Sequence, residues 1–285
     1  MKKINITSIV PVIVLMALSV LNSNAQNINR QNIPCPMGLN VNSFNGNLFL
    51  PRTDLFINGR KLPFDFTFYY NSNRSGLDFG YGKGWSSEYQ MQYLGVLNGV
   101  LIRRGDGFAM FFEEIGPAIY KSPDGVFDIL EQYQTGKFKL TTKEKTVYFF
   151  DNATHKRLTK IQEINGNFLN FSYTDSLITQ VTDKANRSIQ LVYQNAHLKE
   201  INDALATPLR RIQYKYANGN LTEVEDPLGH KTKYAYLVNG PLNKLTDKMN
   251  NAADIIYSSG NLVKEIISCN RSQRFSYDKN SGTTM

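Results

Sequence analysis

The sequence predicts an all-β protein, and three observations carry that reading. Tyr173, Tyr193, Tyr216, Tyr236, Tyr257 and Tyr277 close segments that recur every 20 to 23 residues. Within a segment, apolar and polar residues alternate: Thr232, Tyr234 and Tyr236 share one face, Lys231 and Lys233 the other. Nothing before residue 150 sustains a 3.6-residue period. A fixed period means stacked supersecondary units that share one continuous core. Alternation with one apolar face means a sheet packed on one side and wet on the other.

The elements follow in chain order. Residues 1–25 read as a secretory signal: Lys2 and Lys3 open it, an apolar run from Ile9 to Leu21 follows, and Ser23-Asn24-Ala25 supplies small residues for cleavage after Ala25. The run is too short for a membrane span, and no integral span is expected after cleavage. Cys35 lies well past the cleavage point, so no lipid anchor is expected. Residues 26–40 are polar, carry Pro34 and Pro36, and suit an extended arm. Residues 41–150 form an N-terminal β domain. Phe64, Phe66 and Phe68 alternate with Asp65 and Thr67 in a strand that starts after Pro63, where a missing N–H does least harm. Asn58-Gly59 and Gly105-Asp106-Gly107 read as turns, and Phe108–Phe112, Phe138–Leu140 and Thr146–Phe150 as strands.

Residues 151–285 hold the repeat array. Its units open on apolar pairs three positions apart: Leu158 and Ile161, Ile178 and Val181, Leu198 and Ile201, Leu221 and Val224, Leu242 and Leu245, Val263 and Ile266. Each unit has room for two strands and two turns. The turns are marked by Asn165-Gly166, Asn218-Gly219, Pro227-Leu228-Gly229, Asn239-Gly240-Pro241 and Ser259-Gly260. The third unit is longer, with a bulge or wider loop expected near Ala204–Pro208. Phe275 and Tyr277 close the last strand.

Net charge is +8, falling to +6 once Lys2 and Lys3 leave with the signal. The basic residues are spread over both halves, with no cluster denser than Arg103-Arg104 or Arg210-Arg211. Together with export, this points to a solvated basic surface and no nucleic-acid partner. Export permits a disulfide between Cys35 and Cys269, but a bridge needs Cα atoms within about 7 Å, so pairing stays open.

Candidate chemistry is sparse. Gly80-x-Gly82-x-Gly84 lacks the spacing and following helix of a dinucleotide fingerprint, and reads as turn glycines packed against Trp85, the only tryptophan. His155, His197 and His230 each fall in a turn between repeat strands, without zinc-ligand spacing. No Gly-x-Ser-x-Gly elbow is present, and no catalytic residue, cofactor or metal is expected. Asp183, Asp203, Asp226 and Asp247 recur five residues after the unit opener, as carboxylates that cap a turn through backbone N–H groups. A calcium ladder is the sharper alternative, though one acid per unit supplies few of the oxygens calcium prefers. The tyrosines share a face with Ile and Leu, which argues core; exposed, they would form a platform for glycan.

With these residues in view, the chain resembles the Rhs/YD-repeat family. The similarity rests on Leu221-Thr222-Glu223-Val224-Glu225-Asp226-Pro227-Leu228-Gly229 with the closing Tyr234-Ala235-Tyr236. Upstream it rests on Asn45-Gly46-Asn47-Leu48, Leu62-Pro63, Phe68-Tyr69-Tyr70-Asn71-Ser72 and Gly82-Lys83-Gly84-Trp85-Ser86. The resemblance spans roughly Val41 to Tyr277. It implies a secreted or cell-surface protein with a spiral β-sheet shell, which in bacterial members commonly encloses a C-terminal toxin and in teneurins serves adhesion. Asp226-Pro227-Leu228-Gly229 is similar to that family's self-cleavage site, but its place within the array makes it a repeat turn. The chain stops eight residues after Tyr277, without a core-closing segment. The expectation is therefore the opening part of a shell, non-enzymatic, whose apolar face needs cover from a polypeptide partner or a missing C-terminal region. The alternative is a surface module that binds glycan or a partner protein.

Overall fold

The computed structural model describes residues 37–59 and 62–277. The signal, most of the expected arm, Cys35 and the last eight residues lie outside that range. Among the described residues the chain is all-β, with two sheets and one short 3-10 turn at Ser72–Arg74.

The first sheet is small and antiparallel: β1 (Asn40–Val41), β2 (Leu48–Ile57), β3 (Phe64–Asn71) and β4 (Trp85–Ser87), in that order. Alternation along β3 buries Phe64, Phe66, Phe68 and Tyr70 on one face, and Leu48, Leu50 and Trp85 join them from β2 and β4.

The second sheet begins with β5 (Gln92–Val96), β6 (Gly99–Arg103), β7 (Ala109–Gly116), β8 (Ile119–Lys121), β9 (Ile129–Gln134), β10 (Lys137–Thr141) and β11 (Val147–Phe150). It runs into the repeats without a break, because β11 pairs with β12 (Lys160–Gln162). Then come β13 (Phe168–Thr174), β14 (Leu177–Asp183), β15 (Ser188–Gln194), β16 (His197–Asp203), β17 (Arg210–Ala217) and β18 (Asn220–Glu225). It ends with β19 (Lys231–Tyr236), β20 (Leu242–Thr246), β21 (Ala252–Tyr257), β22 (Val263–Ser268) and β23 (Arg271–Arg274). Each strand pairs with the next from β5 to β23, and the sheet closes on itself where β5 meets its own later residues. The outer side of β5 meets residues 156–158: Tyr93 N–H donates to the Lys156 carbonyl and Leu158 N–H to the Met91 carbonyl.

One structural event repeats at each unit junction. The closing tyrosine lies directly opposite the next opener (Tyr173 with Ile178, Tyr193 with Leu198, Tyr216 with Leu221, Tyr236 with Leu242, Tyr257 with Val263), and a β-bulge sits just before the tyrosine. A bulge adds a residue to one strand and disturbs the ladder beside it. The N-terminal segment supplies acceptors at these places. Leu198 N–H donates to the Gly80 carbonyl, Leu242 N–H to the Tyr70 hydroxyl and Val263 N–H to the Gly46 carbonyl. Backbone approaches backbone so closely that a Cβ on Gly82 would lie 2.8 Å from the Leu221 nitrogen, and Gly82 also holds φ +94°, a conformation glycine adopts freely.

Several expectations change here. The apolar face of the array is covered by the chain itself: the small sheet and the repeat strands share one core that includes Phe68, Trp85, Ile212, Tyr234 and Leu245. Gly80 abuts Leu177 and Ala196, Gly82 abuts Leu221, and Gly84 abuts the Tyr70 ring. The last strand stops at Arg274, before Phe275 and Tyr277. His197 opens β16 rather than lying in a turn. The wider loop near 204–208 is present between β16 and β17 and contains a cis Thr207-Pro208 bond. Cys269, in the turn after β22, is disulfide-bonded.

If the small sheet anchors the fold, truncating its central tryptophan should act on the whole molecule. Trp85→Ala should cost about 3–5 kcal/mol, as large buried aromatics do. Exposed Leu228→Ala should change stability by less than about 0.5 kcal/mol. Urea melts of both variants check this, and equal small effects would contradict the shared core.

Candidate functional site

The densest polar feature of the interior lies where β2 crosses the repeat strands. Arg52, Thr53 and Asp54 interrupt the otherwise apolar strand Leu48–Ile57. They form a two-pronged ion pair, Nε to Oδ1 at 2.7 Å and Nη2 to Oδ2 at 2.9 Å, with their side chains only 13% and 5% exposed. Four rings surround the guanidinium: Trp85 at 4.5 Å, Phe68 at 5.3 Å, Tyr234 at 5.6 Å and Tyr214 at 5.9 Å. The phenols add hydrogen bonds: Arg52 Nη1 donates to Tyr234 Oη, and Tyr214 Oη donates to Asp54 Oδ2. Burial alone would lower the guanidinium pKa; Asp54, Tyr234 and Tyr214 outweigh it, so Arg52 stays charged. A buried charge is tolerated only with such pairing, and the fork geometry of arginine suits it. This cluster escaped the sequence reading. Its signal was a charged pair two residues apart inside an apolar strand.

The six repeat tyrosines form a ladder beside this cluster. All are half-buried and pack against the core. In four of them the hydroxyl donates to the carbonyl of the opener of the same unit: Tyr173 to Leu158 at 2.6 Å, Tyr236 to Leu221 at 2.9 Å, Tyr257 to Leu242 at 2.7 Å and Tyr277 to Val263 at 2.7 Å. Burial raises the phenol pKa values at Tyr173, Tyr236 and Tyr257, and brings Tyr277 up to about 12, so these groups remain donors at neutral pH. Tyr236 also accepts from Trp85 Nε1 at 2.9 Å, joining the ladder to the small sheet. Tyr193 and Tyr216 do not make the opener bond. The Gly80–Gly82 segment is wedged against their rings, with Gly80 and Gly82 facing their Cε1 atoms.

The four aspartates occupy equivalent turns. Oδ1 accepts from the backbone two residues on, at Ala185, Leu205, Leu228 and Met249. In three of the four it accepts again at the fourth residue: Arg187, His230 and Asn251. Oδ2 takes a side chain: Arg187, Arg210, His230 or Asn251. In the lengthened unit, Arg210 reaches Asp203 from seven residues on.

His197 connects β16 to the segment between β3 and β4. Its Nε2 lies 2.7 Å from Asp78 Oδ2 and its Nδ1 3.1 Å from the Asn195 carbonyl, while its ring packs against Tyr216 at 4.6 Å, tilted by 31°. Both nitrogens face acceptors, and the tautomer sets which of them donates. Asp78 Oδ1 meanwhile accepts from Gly80 and Gly82. The pair therefore shapes the wedge loop. A cleft of about 460 Å³ beside it is lined by Asp78, Arg157, Asp175, Ser176 and His197, among others.

A domain described as Domain of unknown function (DUF6531) matches residues 38–112, the stretch holding the small sheet and the strands that follow it. Among solved structures, a porin-like protein from Bacteroides uniformis is similar at 12% identity and a TM-score of 0.32, over 82% of this chain and 98% of that one. No curated protein matches the chain. Among the described residues, no helix is long and apolar enough to cross a membrane.

Two outcomes follow from these contacts. Tyr236→Phe removes the partner of both Leu221 C=O and Trp85 Nε1 and should cost about 1–3 kcal/mol. Tyr193→Phe should cost clearly less, and Lys233→Ala less than about 0.5 kcal/mol; denaturant midpoints compare the three. Burial opposes ionisation at Asp226 and Asp247, but hydrogen bonds outweigh it and lower both pKa values. Their stabilisation is complete above the unfolded value, about 3.9, and is lost as pH falls through the lower folded values. The Asp226→Asn/Asp247→Asn double variant should flatten that acid limb, and an unchanged limb would contradict it.

Proposed function

We propose that this chain is a non-enzymatic structural protein of Rhs/YD type, carried outside the cytoplasm by its leader and residing at the cell envelope or beyond. In this reading the repeat sheet is the opening end of a shell, and residues 40–87 are the piece that plugs it. The observation that carries the proposal is the Arg52–Asp54 pair, buried among rings from both sheets. A charge pair so enclosed fixes how the small sheet seats on the repeats. The DUF6531 match supports the reading, since it ends before the repeats begin, the order seen in the sequence resemblance. The continuing shell would house or present a further polypeptide, of the toxin-delivery kind.

Half-buried tyrosines weigh against the ladder as a glycan platform.

Two measurements test the proposal. Mass spectrometry of envelope and extracellular fractions should find a chain beginning at Gln26; an intact Met1 product retained in the cytoplasm would overturn it. Hydrogen exchange on the full chain should protect residues 64–71 as strongly as the β17–β20 strands. Rapid exchange confined to the small sheet would show that it is not a plug.

A further inference from the structure

The turn that joins β22 to β23 differs in chemistry from its counterparts. In the hairpin turns Asn195-Ala196 and Asn218-Gly219 both central residues hold positive φ, at 51° and 63° and at 54° and 77°. Cys269-Asn270 repeats that backbone, at 48° and 57°, between the paired residues Ser268 and Arg271. Asparagine suits the first position because it tolerates the left-handed region. Cysteine has no such advantage, so the backbone does not call for it. Cys269 is exposed and disulfide-bonded. The sequence holds one other cysteine, Cys35.

The strands bring the two places in the sequence to one rim. β20 and β22 run the same way, since each is antiparallel to β21. Their following turns, 247–251 and 269–270, therefore stand on the same rim, about 10 Å apart at two strand spacings. Met37, the first described residue, lines a cleft of about 430 Å³ with Asp247, Lys248 and Met249 of the nearer turn. At the opposite end of β22, Val263 N–H donates to the Gly46 carbonyl. The segment from Met37 to Gly46 thus crosses the last units, and the chain enters it from the rim that carries Cys269. Two extended residues reach up to about 7 Å, and a disulfide joins Cα atoms about 5.5–6 Å apart. Together these lengths cover the interval between the turns.

We propose that Cys35 and Cys269 form a disulfide that clasps the N-terminal arm to the last repeat unit once the chain has left the cytoplasm. The inference rests on the export reading for its oxidant, which is an oxidised dithiol carrier of the outer compartment. One thiolate attacks the carrier disulfide, giving a mixed disulfide and a carrier thiolate. The second thiolate attacks the protein-side sulfur and displaces the other carrier thiolate. Two thiol protons and two electrons end on the carrier. The exposed position of Cys269 leaves its sulfur open to such an exchange. The bond closes a ring that contains both sheets, and cross-links over long loops constrain the unfolded chain most. In the reducing cytoplasm the thiols stay free, so the plug is locked to the array only after export.

The mature full chain is purified, incubated with oxidised and reduced glutathione, alkylated, and digested with trypsin without reduction. Residues 31–52 are expected joined to residues 265–271, and reductant should separate them. Reduction of the folded chain should lower its urea midpoint by about 1 M or more. Cys35→Ser and Cys269→Ser should each melt like the reduced wild-type chain and show no further response to reductant. Two alkylated thiols after oxidation overturn the proposal, as does a reductant-sensitive dimer joined through either cysteine. A bond whose reduction leaves the midpoint unchanged overturns it too, since a clasp must hold something in place. Purified protein forms the bond here, so a failure is separate from a failure of export, which the location measurement reads.

Discussion

The buried ion pair of Arg52 and Asp54 is the constraint on which the rest of the molecule depends. A guanidinium inside a protein needs a carboxylate, further hydrogen bonds and rings around it, and no single element here provides all of them. Asp54 comes from the same strand, Phe68 and Trp85 from its sheet, and Tyr214 and Tyr234 from two repeat units. Satisfying one charge therefore sets the position of residues 40–87 on the array. The Trp85–Tyr236 and Tyr70–Leu242 hydrogen bonds extend the same registration along the next units.

Repetition gives the array a second constraint. Four of the six tyrosines secure their own unit through the opener carbonyl, and the openers Leu198, Leu242 and Val263 donate to the N-terminal segment. The small sheet and the repeats are thus joined by main-chain hydrogen bonds as well as by side chains. That arrangement requires close backbone approach, which explains glycine at 46 and 82 better than any ligand-binding loop does. Where the Gly80–Gly82 wedge enters, the tyrosine bond is absent at Tyr193 and Tyr216, and His197 holds Asp78 of the wedge loop against β16.

Much of this was legible in the residues. Period-2 alternation located the repeat strands, because a sheet with one buried face admits only one register of apolar positions. The aspartate turns were legible too, since the carboxylate bonds lie within four residues at Asp183, Asp226 and Asp247. The third unit announced its wider loop by length alone. Local chemistry leaves local marks. Short strands such as β8 and β12, only three residues each, left little periodic signal to find.

By itself, then, the sequence determined the all-β class, the repeat period, the turns and the inward face of each unit. All of these follow from interactions between residues close along the chain. Only the tertiary structure decided what covers that inward face. The contacts responsible join Arg52 to Tyr234 and Trp85 to Tyr236, residues separated by 182 and 151 positions. No local pattern encodes a pairing over such distances. An apolar stripe states that a partner must exist, and the partner is known only once the chain has folded back on itself.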